Sequence, residues 1–316
     1  MSPTSRDRTR AVQPGDVALA FGTPRKLPRA SELRGRVVVL DIAFAYDTGG
    51  ERDKFDKITR RFIDGLGPRL AAWVDHHDHA RHADYADDPR FVLSTKAEHP
   101  ACPEMVTPEL VERIGAIDTL CCHGDFDGLC SAAKWLRAGV EPYPGADADA
   151  RAVDTRIGHP GPIGDRFDRA LRGRPNDEGL FGLIVRHLAT GLSDAGLWAP
   201  IDEAAQAYTA QEQEARRLAQ DYRRLSGIPH GVAFVDVTRK RPYDKTLLLL
   251  LGQERETISI VVDGDSVSLA AAFDSGVDFL ALLGLSGGMP TRVSVPRARL
   301  PEIWRALRVA DPPGSE

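Results

Sequence analysis

The sequence predicts an α/β protein: a mainly parallel sheet flanked by helices, joined by a long helix to a smaller α/β domain. Three observations carry this expectation. Short apolar runs stop abruptly at acids and imidazoles: residues 37–40 at Asp41, residues 70–74 at Asp75-His76-His77, and residues 117–122 at His123-Gly124-Asp125-Phe126-Asp127-Gly128. Such runs suit strands buried on both faces, as parallel sheets require. Helical periodicity separates them, as in residues 54–66, where Phe55, Ile58, Phe62 and Ile63 lie three and four apart before Gly65 and Gly67 stop the pattern. Beyond Gly227 the pattern turns to strands, which marks a second domain.

In chain order, residues 1–34 carry Pro14, Gly15, Pro24 and Pro28 among scattered charges and predict an irregular lead-in. The first domain is expected over residues 35–195. After the polar stretch 78–90, residues 91–93 predict a short strand, and Pro108 suits the first turn of a helix ending at Gly115. The helix expected over 129–138 opens with Ser131, Ala132 and Ala133, small enough to let it lie close to the sheet. Further helices are predicted over 165–171 and 179–190. Residues 202–225 contain neither Gly nor Pro and predict the linking helix of a 196–227 segment. The second domain, 228–316, is expected to hold strands at 231–237, 245–251, 257–262 and 266–273, with Asp263-Gly264-Asp265 as a hairpin turn. A last helix over 301–309 and a loose tail from Asp311 complete the chain.

The 316 residues suffice for two domains with separate cores. A formal charge of −5 argues against a broad basic surface for duplex nucleic acid, though a local basic groove remains compatible with it. No apolar stretch approaches the length of a membrane span. Residues 1–10 are polar and arginine-rich, so no secretory signal is expected. Cys102, Cys121, Cys122 and Cys130 have neither disulfide-framework density nor CxxC spacing, which predicts reduced thiols in a cytoplasmic protein.

The carboxyl ends of parallel strands share one edge, so Asp41, Asp75-His76-His77 and His123-x-Asp125-x-Asp127 are expected to converge. Carboxylates with neutral imidazoles suit divalent first-row metals, and several carboxylates favour Mn²⁺ or Mg²⁺. So acidic a cluster calls for more than one cation. Two ions ~4 Å apart activate a water and stabilise a leaving oxygen in phosphoryl transfer. His79 and His82 lack the His-x-His-x-Asp-His pattern of metallo-β-lactamase-like hydrolases and read as polar loop residues. Cys121 and Cys122 read as strand packing and Cys130 as a small buried residue. Arg216, Arg217, Arg223 and Arg224 recur seven apart and predict a solvated helix face paired with Glu212 and Glu214.

With these motifs the sequence resembles the DHH phosphoesterase superfamily, which includes RecJ-like exonucleases, short-oligonucleotide and cyclic-dinucleotide hydrolases, and manganese pyrophosphatases. The resemblance rests on Val74-Asp75-His76-His77, on Asp41, and on Cys122-His123-Gly124-Asp125-Phe126-Asp127-Gly128 with Ser131-Ala132-Ala133. It implies His123 and Asp125 on one metal, His76 and Asp127 on the other, and Asp41 bridging them. It also implies that Asp75 orients an imidazole and that His77 meets the substrate phosphate. The family's remaining ligand is an Asp, for which Asp154 is the candidate and Asp118 the rival. The His-x-Asp-x-Asp element usually precedes Asp-His-His in the family and follows it here, which implies a permuted catalytic domain. The second domain resembles a diverged form of the family's partner domain. Its glycine-rich segment corresponds to Leu285-Ser286-Gly287-Gly288-Met289, with Met289 where the family carries His. Gly287 and Gly288 are then either phosphate-binding or a tight turn, and Arg292 is the substitute phosphate contact.

The expected function is therefore hydrolysis of phosphate esters of nucleotides or short oligonucleotides by metal-activated water, with two Mn²⁺ ions, or Mg²⁺. The alternatives are a RecJ-like exonuclease on single-stranded nucleic acid and a non-catalytic nucleotide-binding protein on the same fold.

Overall fold

The computed structural model describes residues 17–47, 53–237 and 242–313. Residues 1–16 of the expected lead-in and 314–316 of the expected tail lie outside the described residues. The first domain is built on β1 (Ala18–Phe21), β2 (Val37–Leu40), β3 (Leu70–Asp75), β5 (Phe91–Leu93) and β6 (Thr119–Cys122), five parallel strands in the order β1-β6-β2-β3-β5. Strand β6 comes after β5 in the chain but sits between β1 and β2. The His123 motif is thereby set beside Asp41, and Asp41 beside Asp75. Strand β1 falls inside the expected lead-in, and its half-buried Ala-Leu-Ala-Phe sequence gives little strand signal. It is a strand because the edge of β6 supplies its hydrogen bonds.

Both faces of this sheet are covered, as its continuous apolar runs require. One face carries helix α1 (Arg61–Leu66) and the wide helical turn Phe55–Arg60 that precedes it, packed through Phe55, Phe62 and Ile63 on Val37, Val39 and Trp73. The other carries α2 (Pro108–Ile114), α3 (Phe126–Leu136), α4 (Ala146–Thr155), α5 (Pro162–Gly173) and α6 (Glu178–Ala189). Ser131, Ala132 and Ala133 of α3 are fully buried, so their small size does bring that helix down on the sheet. Each of the four β2 side chains is completely removed from water. Such burial stabilises by roughly 1.5–3 kcal/mol per Val or Leu.

Helix α7 (Trp198–Leu218) packs on α5 and on the second domain. It is shorter than the predicted linking helix, because Arg223–Leu225 forms β7. Arg223 and Arg224 are therefore not on the face that carries Arg216 and Arg217. The expected ion pairs are present: Arg216 lies 3.0 Å from Glu212 and Arg217 2.7 Å from Glu214.

The second domain has the mixed sheet β12-β10-β9-β8-β7, with β8 (Val232–Val237), β9 (Ile258–Asp263), β10 (Ser266–Ala271) and β12 (Arg292–Pro296). Helix α8 (Lys245–Gln253) overturns the strand expected over 245–251. Its leucine run lacks the alternation of a half-exposed strand, and Leu248 and Leu249 bury against Val235 and Val261 of the sheet. The Asp244 carboxylate starts the helix by accepting from the Leu247 N–H at 3.0 Å. Helices α9 (Phe279–Leu283) and α10 (Leu300–Ala306) cover the opposite face. No helix among the described residues is long and apolar enough to cross a membrane.

Among the contacts between the domains, two stand out. The strands β4 (Asp78–His79) and β11 (Gly287–Gly288) pair across the boundary. The Asp244 carboxylate also accepts from Tyr208 (2.8 Å) and from Arg172 of α5 (2.9 Å), so one residue caps a helix and pins the domains. Asp244→Ala removes the cap and leaves a buried guanidinium short of a partner. It should lower unfolding stability by about 2–4 kcal/mol in urea denaturation, and a change under about 0.5 kcal/mol would show that the pin contributes nothing.

Candidate metal centre

The ends of β2, β3 and β6 converge as the strand order dictates. At the end of β2 the chain turns through Asp41 in the left-handed region (φ 58°), unusual for a non-glycine residue. Its N–H is fixed on the Val74 carbonyl at 2.9 Å, and its side chain is 1% exposed. His76 Nε2 lies 3.1 Å from Asp41 Oδ1, 3.4 Å from Asp127 Oδ2 and 3.9 Å from Asp154 Oδ2. His123 Nδ1 lies 2.6 Å from Asp125 Oδ2 and 3.8 Å from Asp41 Oδ2. Despite these distances, both Asp41 oxygens, His76 Nε2 and His123 Nδ1 are buried without an aligned hydrogen bond. Polar atoms that face one another yet do not bond are suited to meet on a shared cation, since buried groups otherwise find partners.

The other ring nitrogen of His76 is committed. Nδ1 lies 2.7 Å from the His99 carbonyl, which can only accept, so that nitrogen carries a proton and Nε2 is the one that faces the cluster. Asp125 caps α3, accepting from the Gly128 N–H at 3.3 Å. A side chain at Gly128 would press on Asp41 Oδ2 and Asp125 Oδ1, each 3.0 Å from its Cβ, which is why the motif closes with glycine. Three groups have ligand atoms within 4.8 Å of one another: Asp41-His76-His77, Asp41-His123-Asp125 and His76-Asp127-Asp154. The residue types and spacing fit one or more divalent ions of the Mn²⁺ or Mg²⁺ kind.

The electrostatics match this arrangement. Burial, with the charges of Asp127 and Asp125, pushes the Asp41 carboxyl well above its ordinary range. Burial and the Lys96 charge press His76 down, but the adjacent Asp127 and Asp41 outweigh them and lift it to about 11. Burial likewise opposes the charged form of His123, and Asp125 lifts it to about 10. The imidazoles thus hold protons as counter-charges that a divalent ion would replace.

No family model matches the sequence, and no curated protein matches it. Among solved structures the chain is similar to a pGpG-specific phosphodiesterase, PggH, from Vibrio cholerae. The two are 12% identical, 87% of this chain and 97% of that one are covered, and the TM-score is 0.41. The dinucleotide activity is that protein's own.

The structure brings Asp41, His76, His123, Asp125, Asp127 and Asp154 into one cluster. Asp154 reaches it from the last turn of α4. Asp118 does not: it lies just before β6, at the far end of that strand, where its carboxylate accepts from the Arg36 N–H at 2.7 Å. Asp75 holds the His77 imidazole at 2.8 Å, and burial of Asp75 is outweighed by His77, which keeps that carboxyl below its ordinary range. His79 and His82 pack edge-on against Phe44 and line no metal group, and burial lowers His79 to about 4. All four cysteines are buried free thiols.

A cavity of about 1150 Å³ opens over the cluster between the domains, and His123, Asp125, Asp127 and Asp154 form its floor. Met289 and Arg292 line its opposite wall, whereas Gly287, Gly288 and His77 do not line it. Gly287 and Gly288 are instead buried in the β4–β11 bridge, with Gly288 at φ 119° against the Tyr46 ring. The tight turn lies one step later, where Arg292 N–H donates to the Met289 carbonyl at 3.1 Å.

Sequence reasoning missed Lys96, Arg156 and Arg172. Lys96 follows β5 and so obeys the same strand-end rule, and its ammonium is ion-paired with Asp154. Arg156 and Arg172 come from α4 and α5 to line the cavity, and no local signal marks them.

Asp41→Asn removes the charge shared by two of the groups. The variant should bind no Mn²⁺ in metal analysis, while the metal-free form melts at or above the wild-type temperature, because a buried carboxyl whose charged form is disfavoured gives way to a neutral amide. Retention of full Mn²⁺ binding would exclude Asp41 as a ligand.

Proposed function

We propose that this chain is a Mn²⁺-dependent phosphoesterase acting on nucleotides or short oligonucleotides in the cavity between its domains. The observation that carries this reading is the pairing of an acid–imidazole cluster of unpartnered buried atoms with a cationic wall across one cavity. A divalent ion bound there would supply Lewis acidity and activate a water for phosphoryl transfer.

Arg292 is the principal substrate residue. Its guanidinium donates to Thr246 Oγ1 at 2.7 Å and forms no ion pair among the described residues. Burial, with Arg156 next, lowers it to about 10, so a phosphate would relieve a charge that is poorly compensated as it stands. Arg156 and Arg172 extend the wall but are paired with Asp168. His77, held by Asp75 beside Asp41, lies outside the cavity lining, so the phosphate contact falls to Arg292. The cavity suits a ligand of one or a few nucleotides better than a long polymer, in keeping with the net charge of −5.

Met289, at the wall where the resemblance leads one to expect His, favours a second reading in which the site binds a nucleotide without turnover. Purified protein with Mn²⁺ on phosphomonoesters, dinucleotides, short oligonucleotides and long single strands separates the possibilities. Turnover of the small substrates is expected. Preference for long strands with steep salt dependence would identify a RecJ-like nuclease, and no turnover with Mn²⁺ bound would favour the binding reading. His123→Ala and Asp125→Ala should each abolish activity and bound Mn²⁺ together, and full activity in either would sink the assignment. Arg292→Ala should raise KM roughly ten- to hundredfold in steady-state kinetics, the loss of a charge-assisted contact of about 1.5–3 kcal/mol, with metal content unchanged.

A further inference from the structure

We infer that the Lys96 ammonium fills one of the two cation positions of this centre, so that the chain holds a single divalent ion where its ligand set suggests a pair. The inference rests on the metal-centre reading above and deepens it.

Apart from His77, whose Nδ1 is held by Asp75 at 2.8 Å, the ligand atoms fall into two sets joined by Asp41. His123 and Asp125 lie on one side of it, and His76, Asp127 and Asp154 on the other. Among the described residues, a lysine is ion-paired only within the second set. Lys96, its side chain 2% exposed, is ion-paired with Asp154 Oδ2, the same oxygen that lies 3.9 Å from His76 Nε2, and that nitrogen lies 3.4 Å from Asp127 and 3.1 Å from Asp41. Those three are the acidic members of that position. A primary ammonium offers three donors and one positive charge, so it can neutralise converging carboxylates much as a cation would.

A divalent ion added there would lie beside a buried ammonium of the same sign, in surroundings that screen charge poorly. Lys96 has no open route of withdrawal, since it is 1% exposed and does not line the cavity. At the first set no lysine or arginine is ion-paired to His123, Asp125 or Asp41 among the described residues, and Asp41 keeps two unpartnered oxygens. That position therefore remains for the divalent ion, with His123, Asp125 and Asp41 as its ligands.

Mn²⁺ binding to the full chain tests this, by equilibrium dialysis with metal analysis and by electron paramagnetic resonance. The wild type should saturate at one Mn²⁺ per chain with the six-line spectrum of an isolated ion. Lys96→Gln should take up a second ion, doubling the stoichiometry and replacing the six-line signal by that of an exchange-coupled pair. Asp154→Asn should leave the single ion in place, because Asp154 serves the lysine. A wild type that binds two ions, a Lys96→Gln variant that folds and stays at one, or loss of the ion in Asp154→Asn would each overturn the proposal. If Lys96→Gln does not fold, the wild-type stoichiometry and Asp154→Asn decide. Failure of the wild type to bind Mn²⁺ at all would overturn the metal-centre reading along with it, whereas binding of two ions would overturn the lysine proposal alone.

Discussion

A carboxylate held out of water at the end of a fully buried strand is the constraint around which this molecule is arranged. Asp41 is 1% exposed, its backbone sits in the left-handed region, and neither of its oxygens accepts an aligned hydrogen bond. An isolated buried charge costs several kcal/mol, and proteins keep one only where a partner cation compensates it. The surroundings supply such compensation piecemeal, with His76 and His123 lifted toward their protonated forms and Lys96 brought in under the β5 end. The absence of a side chain at Gly128 and the commitment of His76 Nδ1 to a carbonyl serve the same arrangement. Both keep donor atoms aimed at the space around Asp41.

The second domain completes the site by charge. The floor of the cavity is acidic and the wall contributed by Arg292 is cationic, so the two domains present opposite charge across one space. The cavity keeps its shape because Asp244 ties α8 to Arg172 and Tyr208, and because Gly287-Gly288 pairs with Asp78-His79. The glycines that suggested phosphate contact are used for that joint, whose close approach to Tyr46 and His79 leaves no room for a β-carbon.

Much of the first domain was legible because burial on both faces leaves a plain mark in composition. Val37–Leu40 and Leu70–Asp75 read as strands at once, and the parallel-sheet rule then placed their terminal acids and imidazoles together. Elements that depend on a neighbour were not legible. Ala18–Phe21 becomes a strand only through the β6 edge, and Arg223–Leu225 leaves the helical pattern only because β8 offers it a partner. The leucine run of α8 has no polar residues to reveal its period, so its helix is visible only from the face it buries.

The sequence by itself determined the α/β class, the two-domain plan and the chemical kinds at three strand ends, because hydrophobic runs and the residues that stop them are local facts. Tertiary structure decided the rest. It brought Asp154 to the cluster from α4 and left Asp118 at the far end of β6, and it delivered Lys96 to Asp154 across fifty-eight positions. It also raised Arg156, Arg172 and Arg292 over the cavity from three separate elements. Each of these depends on the order of strands and the seating of helices, which bring together residues that carry no mark of one another in the chain.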